Sequence, residues 1–191
     1  MPVVDFFYDL VSPYSYLAAT QMAPIEALAQ VQWRPFWLAG VMKASANTPP
    51  FMVPAKAQYM SQDLRRMAAY YGVKLQMPQR FPLDTLSAMR CLHALAEPVR
   101  ATTSLALFEA LWVEGRDISE VEVLKDLLGA ELVERAASAG IKLALKETTD
   151  EAVMRGAFGA PSLFLDDELF FGCDRLALLE HRLSHRGGGQ V

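Results

Sequence analysis

Two serine hydroxyls stand three residues apart where the sequence changes from strand to helix. The run Val3–Tyr8 is β-branched and aromatic, and apolar residues at helical spacing begin after Pro13, so Ser12 and Ser15 fall at a helix start. The free N–H groups and positive dipole end of a helix start favour an anion, such as a thiolate. Two interpretations stay open: Ser12 binds the sulfur of another molecule, or it is only an N-cap before Pro13.

The elements that must position these hydroxyls follow from periodicity and from breakers. The predicted strands are Val3–Tyr8, 31–37, Ser162–Leu165 and 168–172. The predicted helices are 14–28, 56–71, 85–95, 100–114, one that begins at a capping box at Ser119 and ends near Gly140, one that begins at a capping box at Thr148, and 174–183. The proline-rich stretch 38–54 predicts a long ordered loop.

This order is β-α-β, then a block of helices, then β-β-α. Short-connection rules favour a single α/β sheet, and the order is that of the thioredoxin plan with a large all-helical insertion. We therefore assign residues 1–37 and 156–184 to a thioredoxin-like domain and residues 38–155 to a connecting loop and helical insertion domain. The glycine-rich residues 185–191 predict a disordered tail.

The segment Gly159-Ala160-Pro161-Ser162 lies directly before a predicted strand. Thioredoxin-like folds hold a cis X-Pro bond at this place, facing the active helix start, so we predict that the Ala160–Pro161 bond is cis. Such a bond would turn the flanking backbone toward an extended ligand, which then pairs like an added strand. The alternative is a trans proline that opens an edge strand.

Composition excludes several other classes of function. The 191 residues carry a formal net charge of −4 with basic residues spread along the chain, which argues against a nucleic-acid partner. No apolar run reaches the about 18 residues of a membrane span, and no export signal precedes the first strand. Two distant cysteines form no CxxC pair, so a cytoplasmic location is expected. His181 and His185 have no third ligand, so no metal site is expected.

Six segments, in order and with fitting spacing, carry a resemblance that covers nearly the whole chain. They are 6–18, 47–50, 54–60, 63–64, 81–86 and 158–176, and they include the sequences Ser-Pro-Tyr-Ser, Asn-Thr-Pro-Pro and Gly-Ala-Pro-Ser. Together they resemble the 2-hydroxychromene-2-carboxylate isomerase family and its relatives, the kappa-class glutathione transferases.

The resemblance implies that glutathione is the cofactor. Its sulfur would be bound by Ser12, its cysteinyl backbone would pair beside Ala160 and Pro161, and its γ-glutamyl end would lie near Asp174 and Arg175. The resemblance places a further three residues around the cleft: Lys56 toward glutathione, and Asn47 and Tyr14 toward the substrate. The family usually has asparagine where Asp84 stands, so Asp84 either alters substrate preference or caps the next helix.

The resemblance implies a glutathione-dependent cis-trans isomerase in the catabolism of naphthalene-like aromatics, acting on an aromatic-derived keto acid, and a homodimer. Serine cannot cycle to a disulfide, so Ser12 and Ser15 exclude thiol–disulfide exchange at the helix start. A kappa-type glutathione transferase and a thioredoxin-fold binding module without its cysteines are the alternatives.

Overall fold

A computed structural model describes residues 1–186 of the chain. Its mixed sheet has the order β2-β1-β3-β4 and consists of β1 (Val3–Tyr8), β2 (Gln30–Pro35), β3 (Ser162–Leu165) and β4 (Glu168–Phe171). β1 pairs parallel with β2 and antiparallel with β3, so Val4 lies between Val31 and Leu165. β3 and β4 form an antiparallel hairpin. The predicted α/β class, with its βαβ and ββα ends, is confirmed.

Helices occupy most of the remaining chain. They are α1 (Pro13–Thr20), α2 (Ala23–Glu26), α3 (Leu38–Ala44), α4 (Pro54–Tyr71), α5 (Leu86–His93), α6 (Val99–Trp112), α7 (Val121–Leu128), α8 (Ala130–Ala136), α9 (Ala139–Met154) and α10 (Leu176–Ser184), with short 3-10 turns at Pro50–Met52 and Cys173–Arg175. α4 ends where predicted, because Gly72 adopts the left-handed conformation (φ 67°) that terminates helices.

The core lies on both faces of β1, because successive side chains of a strand point to opposite faces. Phe6 and Tyr8 pack on one face, where the Phe6 ring meets Trp33 edge-on at 5.0 Å. Phe7 points to the other face, where its ring meets Phe164 at 5.7 Å. Truncation of such a buried aromatic residue to alanine costs about 3–5 kcal/mol.

The helical insertion contributes to both sides of this core. On one side the indole N–H of Trp112 in α6 donates to the Leu10 carbonyl at 2.9 Å. On the other side α9 packs Ala152 into the cluster around Phe7, and its Arg155 guanidinium lies over the Phe164 ring at 4.2 Å. The division of the chain into the predicted domains stays a prediction.

The loop predicted for 38–54 is wrong in its first part, since α3 occupies Leu38–Ala44. The backbone N–H groups at its start are bound by distant side chains. The Leu38 N–H donates to Asp9 Oδ2 at 2.9 Å, and the Trp37 N–H donates to Thr149 Oγ1 at 3.0 Å. A local pattern holds no trace of such partners, which explains the error.

Both predicted capping boxes are wrong. α7 has Glu120 at its N-cap without a side-chain hydrogen bond, because Ser119 instead binds the Asp117 carboxylate through both its N–H and its hydroxyl. Thr148 lies inside α9, where its hydroxyl donates to the carbonyl of Ala144 one turn earlier. The predicted helix end near Gly140 is also wrong, since Gly140 lies in the first turn of α9.

The C-terminal helix begins two residues later than predicted, because Cys173–Arg175 forms a 3-10 turn before α10. His185 and Arg186 form a turn after α10, and the rest of the predicted disordered tail, residues 187–191, lies outside the described residues. None of the helices described for residues 1–186 is long and apolar enough to cross a membrane.

Candidate active site

Ser12 is the N-cap of α1 and is 5% exposed. Its Oγ accepts a hydrogen bond from the Ser15 N–H at 3.1 Å and donates one to the Ala160 carbonyl oxygen at 3.0 Å. Pro13 follows at the first helical position, where a missing N–H costs nothing. The Ser12 hydroxyl therefore joins the start of α1 to the segment before β3.

Two backbone donors beside this hydroxyl have no partner within residues 1–186. They are the N–H of Tyr14, in the first turn of α1, and the N–H of Ala160. With Pro13 lacking an N–H and the Ser15 N–H bound to Ser12, the Tyr14 N–H is the donor that α1 offers to an anion. An anionic sulfur beside Ser12 would thus find a hydroxyl and an amide within one turn of chain.

Ser15 has a different role from Ser12 although both carry hydroxyls. Its side chain is fully buried and its Oγ has no hydrogen-bond partner in the described part of the chain. Ser15 therefore packs behind the helix start, and Ser12 alone of the pair hydrogen-bonds to the segment before β3.

The Ala160–Pro161 bond is cis, as predicted. The preceding backbone is held from two sides: Asn47 Nδ2 donates to the Phe158 carbonyl at 2.9 Å, and the Phe171 ring packs so close that a Cβ on Gly159 would lie 2.8 Å from it. Asn47, which lies beyond the end of α3, is thereby brought to the same segment that Ser12 contacts.

A cleft of about 370 Å³ opens beside α1. Its lining residues are Tyr14, Pro50, Ala55, Lys56, Tyr59 and Met60. The walls are mainly apolar, and the exposed Lys56 ammonium supplies a positive charge. A flat, partly apolar molecule with a carboxylate suits such a lining.

Tyr14 lines this cleft and follows Ser12 by two residues in the chain. Its hydroxyl donates to Asp63 Oδ2 at 3.0 Å, while the Tyr59 hydroxyl donates to Asp63 Oδ1 at 3.4 Å. Burial, and then the Asp63 carboxylate, raise the pKa of Tyr14 above its ordinary value. Tyr14 stays protonated at neutral pH and can only accept a further hydrogen bond or pack against a ligand.

Asp174 and Arg175 lie in the 3-10 turn that packs against α1. Their exposed side chains form an ion pair, with Arg175 Nη1 and Asp174 Oδ2 2.8 Å apart. The adjoining Cys173 carbonyl accepts a hydrogen bond from the Tyr71 hydroxyl at 2.9 Å, which fixes this turn to α4. Asp174 thus belongs to a turn that contacts α1, and its carboxylate is paired with Arg175.

Asp84 caps the following helix. Its Oδ1 accepts a hydrogen bond at 3.0 Å from the N–H of Leu86, the first residue of α5, and the N-cap Thr85 lies between the two. The neighbouring Thr85 hydroxyl donates to the buried Asp9 carboxylate at 2.6 Å. Sequence reasoning did not single out Asp9, whose partners Leu38 and Thr85 are distant in the chain and left no signal in the local pattern.

The two cysteines are poor candidates for thiol chemistry. Burial raises the pKa of the Cys91 thiol to about 11, and burial together with the Asp174 charge raises that of Cys173 to about 12. Both residues are buried and neither stands at the start of α1. This protein therefore lacks the reactive thiol pair on which disulfide exchange depends.

The histidines have ordinary structural explanations. The His181 and His185 rings stack at 4.1 Å on α10, and His93 shares a hydrogen bond with the Thr148 hydroxyl at 2.9 Å. Burial lowers the pKa of His93, so it is neutral at pH 7. No group of three or more His, Cys, Asp or Glu residues suited to a metal ion occurs in the described portion of the chain.

The comparison with known families agrees with this geometry. The model of the DSBA-like thioredoxin domain matches residues 3–184. The chain belongs to that family.

Two kinds of enzyme occur among its relatives. The chain is 34% identical to human glutathione S-transferase kappa 1, over 98% of the chain and 93% of the human protein. It is 30% identical to 2-hydroxychromene-2-carboxylate isomerase from Sphingobium xenophagum, over 94% of the chain and 97% of that protein. The resemblance found in the sequence is thus confirmed for the family.

The solved structures include a 2-hydroxychromene-2-carboxylate isomerase that superposes with a TM-score of 0.84 at 27% identity, covering 96% of this chain and 97% of that one. The thioredoxin-like fold with its helical insertion is therefore shared over essentially the whole chain. The relatives are enzymes, and two different reactions stand among them.

Proposed function

We propose that this protein is a glutathione-dependent cis-trans isomerase of the 2-hydroxychromene-2-carboxylate isomerase type. The observation that carries the proposal is the Ser12 hydroxyl, a buried donor that lies between the start of α1 and the Ala160 carbonyl. A relative and a solved structure that carry the isomerase name support the proposed reaction, and the human relative, which carries the glutathione transferase name, supports the use of glutathione.

The residues present fit glutathione. Its sulfur would lie at the Ser12 hydroxyl and the Tyr14 N–H, and its cysteinyl backbone would pair with the free N–H and the carbonyl of Ala160. Asp174 offers a carboxylate to the γ-glutamyl ammonium, and Lys56 offers an ammonium to a carboxylate. When bound, glutathione supplies a thiolate that adds reversibly to a conjugated double bond and so allows rotation about it.

The Ser12 proton has two possible acceptors in this scheme. In the structure it is donated to the neutral Ala160 carbonyl. A hydrogen bond to an anion is roughly twice as strong as one between neutral groups, so the proton turns toward an anionic sulfur. The Ala160 carbonyl is then free to accept an N–H from an extended ligand backbone, in the manner of an added strand.

The substrate side of the proposal rests on the cleft beside Tyr14. An aromatic-derived keto acid is flat and carries a carboxylate, which suits the apolar walls and the Lys56 ammonium. Asn47, held against Phe158, keeps its amide oxygen free to accept from a substrate hydroxyl. We include in the proposal a homodimer, a cytoplasmic location and a role in the catabolism of naphthalene-like aromatics.

A kappa-type glutathione transferase is the second candidate, because the human relative is at least as similar as the bacterial isomerases. The same Ser12 site would then lower the pKa of the glutathione thiol, and the conjugate would leave. The position of Asp84, which caps α5, does not distinguish the two reactions.

The test is glutathione titration by calorimetry, followed by an ultraviolet assay with 2-hydroxychromene-2-carboxylate at equilibrium and under turnover. The proposal expects glutathione binding and an isomerisation that needs glutathione in catalytic amount and does not consume it. Stoichiometric formation of a glutathione conjugate would favour the transferase, and the absence of glutathione binding would exclude both. The same assays are run on Ser12→Ala, which removes the proposed donor. Ser184→Ala, on the exposed face of α10, is its matched control.

A further inference from the structure

Asp9, at the end of β1, carries a carboxylate that is 1% exposed and binds three separate segments. Its Oδ1 accepts from the Val11 N–H at 3.1 Å and from the Thr85 hydroxyl at 2.6 Å. Its Oδ2 accepts from the Leu38 N–H at 2.9 Å. The three donors lie 2, 29 and 76 residues away in the chain.

Each of these segments leads to a residue of the candidate site. Val11 directly precedes Ser12. Leu38 is the first residue of α3, and the chain beyond α3 brings Asn47 against the Phe158 carbonyl. A shift of α3 would therefore change the distance between Asn47 and Ser12 at the start of α1.

The third segment carries Asp84, which the family resemblance puts toward the substrate, and its next residue binds the same carboxylate. Thr85 follows Asp84 and is the N-cap of α5. Two distant stretches of chain, one before Asn47 and one after Asp84, are thus fixed by a single side chain to the turn that carries Ser12.

Burial of the ionised Asp9 carboxylate has an unfavourable desolvation free energy. Burial raises the pKa of Asp9, so its ionised form is disfavoured at neutral pH relative to the same group in water, and the three hydrogen bonds offset this only in part. Buried charges of this kind are weak contributors to stability and are common at functional sites. This points to a role in geometry.

We propose that Asp9 is a positioning residue that holds the substrate-side segments, α3 with Asn47 and the Asp84–Thr85 turn, in register with Ser12. The inference rests on the proposed function for its catalytic consequence, but the contacts themselves do not.

The three hydrogen bonds to the Asp9 carboxylate make Asp9→Asn an informative substitution. An asparagine has the size of aspartate but offers one carbonyl oxygen and one NH₂ group. If its oxygen keeps the bonds to Val11 and Thr85, its NH₂ faces the Leu38 N–H, donor against donor. The start of α3 then loses its acceptor while the turn before Ser12 keeps one.

The experiment compares Asp9→Asn, Thr85→Val and Thr85→Ser, with Thr102→Val on the exposed face of α6 as the control for the loss of a threonine hydroxyl. Three quantities are measured: the KM and kcat for 2-hydroxychromene-2-carboxylate, the Kd for glutathione by calorimetry, and amide hydrogen exchange over residues 38–47. We expect Asp9→Asn to raise KM and to lower kcat/KM at least about 10-fold, while the glutathione Kd changes less than about 3-fold.

The same variant should speed exchange at the start of α3 and leave β3 unchanged. Thr85→Val should have a smaller effect of the same kind, Thr85→Ser should restore kcat/KM because it keeps the hydroxyl, and Thr102→Val should match the wild type. In the double variant Asp9→Asn/Thr85→Val, the second change should add little.

A merely structural role would give a different pattern. Loss of folded protein lowers kcat, leaves KM in place and reduces glutathione binding in proportion, and that result, or unchanged exchange over 38–47, would overturn the proposal. If Asp9→Asn does not fold, Thr85→Val and Thr85→Ser test the proposal in its place. Equal kcat/KM values for these two variants would contradict a positioning role for Asp9. A wild type without turnover refutes the proposed function, while exchange over 38–47 still tests Asp9.

Discussion

The Ser12 hydroxyl donates to the carbonyl oxygen of Ala160, a residue 148 positions away in the chain, at 3.0 Å. This bond joins the start of the first helix to the segment that precedes the last hairpin. In the proposed function, the Ser12 proton turns to an anionic sulfur, and the Ala160 carbonyl then accepts a hydrogen bond from an extended ligand instead.

The protein should have no disulfide oxidoreductase activity, although it belongs to the DSBA-like thioredoxin domain family. Serine occupies both positions of the redox pair, and burial keeps the pKa values of Cys91 and Cys173 far above neutral, so neither is a thiolate at pH 7. Insulin reduction by dithiothreitol should proceed at the protein-free rate. An acceleration that disappears in Cys173→Ser would show that this buried thiol reacts.

Asp174→Asn should weaken glutathione binding through the loss of the γ-glutamyl contact. Because the carboxylate is half exposed, we expect the lower end of the range for charged hydrogen bonds, about 1.5 kcal/mol or roughly a 10-fold rise in Kd. Calorimetric titration measures it, with Asp167→Asn on the hairpin tip as the matched control. Equal Kd values for Asp174→Asn and the control would remove Asp174 from the site.

Two substitutions at Asp84 separate capping from substrate choice. Asp84→Asn keeps an acceptor for the Leu86 N–H and should leave the free energy of unfolding unchanged, whereas Asp84→Ala should lower it by about 1 kcal/mol. If the charge also repels an anionic substrate, both variants should lower KM for 2-hydroxychromene-2-carboxylate. Urea unfolding and steady-state kinetics give the two answers, and an unchanged KM in both variants would leave Asp84 as a cap only.

The stability of the protein should carry a pH-dependent contribution from Asp9. Its folded-state pKa is raised above the ordinary value of 3.8, chiefly by burial, so the folded state binds the proton more tightly than the unfolded state. This contribution is fully present below pH 3.8 and is lost as the pH rises through the raised pKa. Urea unfolding at several pH values measures the free energy of unfolding of wild type and of Asp9→Asn. The value for the wild type should fall relative to that of Asp9→Asn as the pH rises. A difference between the two that does not change with pH would contradict the raised pKa.

The sequence predicts the local parts of the site well. Ser12 followed by Pro13 marks the start of α1, Gly72 marks the end of α4, and the Ala160–Pro161 bond is cis, as expected for a proline at this place in the thioredoxin plan. The two helix ends depend on a few neighbouring residues, so a local pattern is enough to find them, whereas the cis bond was expected from the order of the elements along the whole chain.

The parts that were missed depend on distant partners. α3 begins where the Asp9 carboxylate and the Thr149 hydroxyl accept hydrogen bonds from backbone N–H groups. The sequence of residues 38–44 does not predict either partner. The Thr148 capping box failed for a related reason, since that hydroxyl bonds back along α9 and His93 approaches it from α5. The role of Asp9 could be seen only after three segments had been brought together.

Ser12 is proposed to lower the pKa of a bound glutathione thiol, and the ultraviolet absorbance of the thiolate measures this directly as a function of pH. We expect bound glutathione to titrate at lower pH in the wild type and in Ser184→Ala than in Ser12→Ala, with turnover of Ser12→Ala reduced about 100- to 1000-fold at neutral pH, the loss typical of one oxyanion-type donor. The Kd for glutathione should change much less, since the contacts proposed at Ala160 and Asp174 remain. If Ser12→Ala and wild type titrate at the same pH and turn over alike, Ser12 is a helix cap and the proposed thiolate site is wrong.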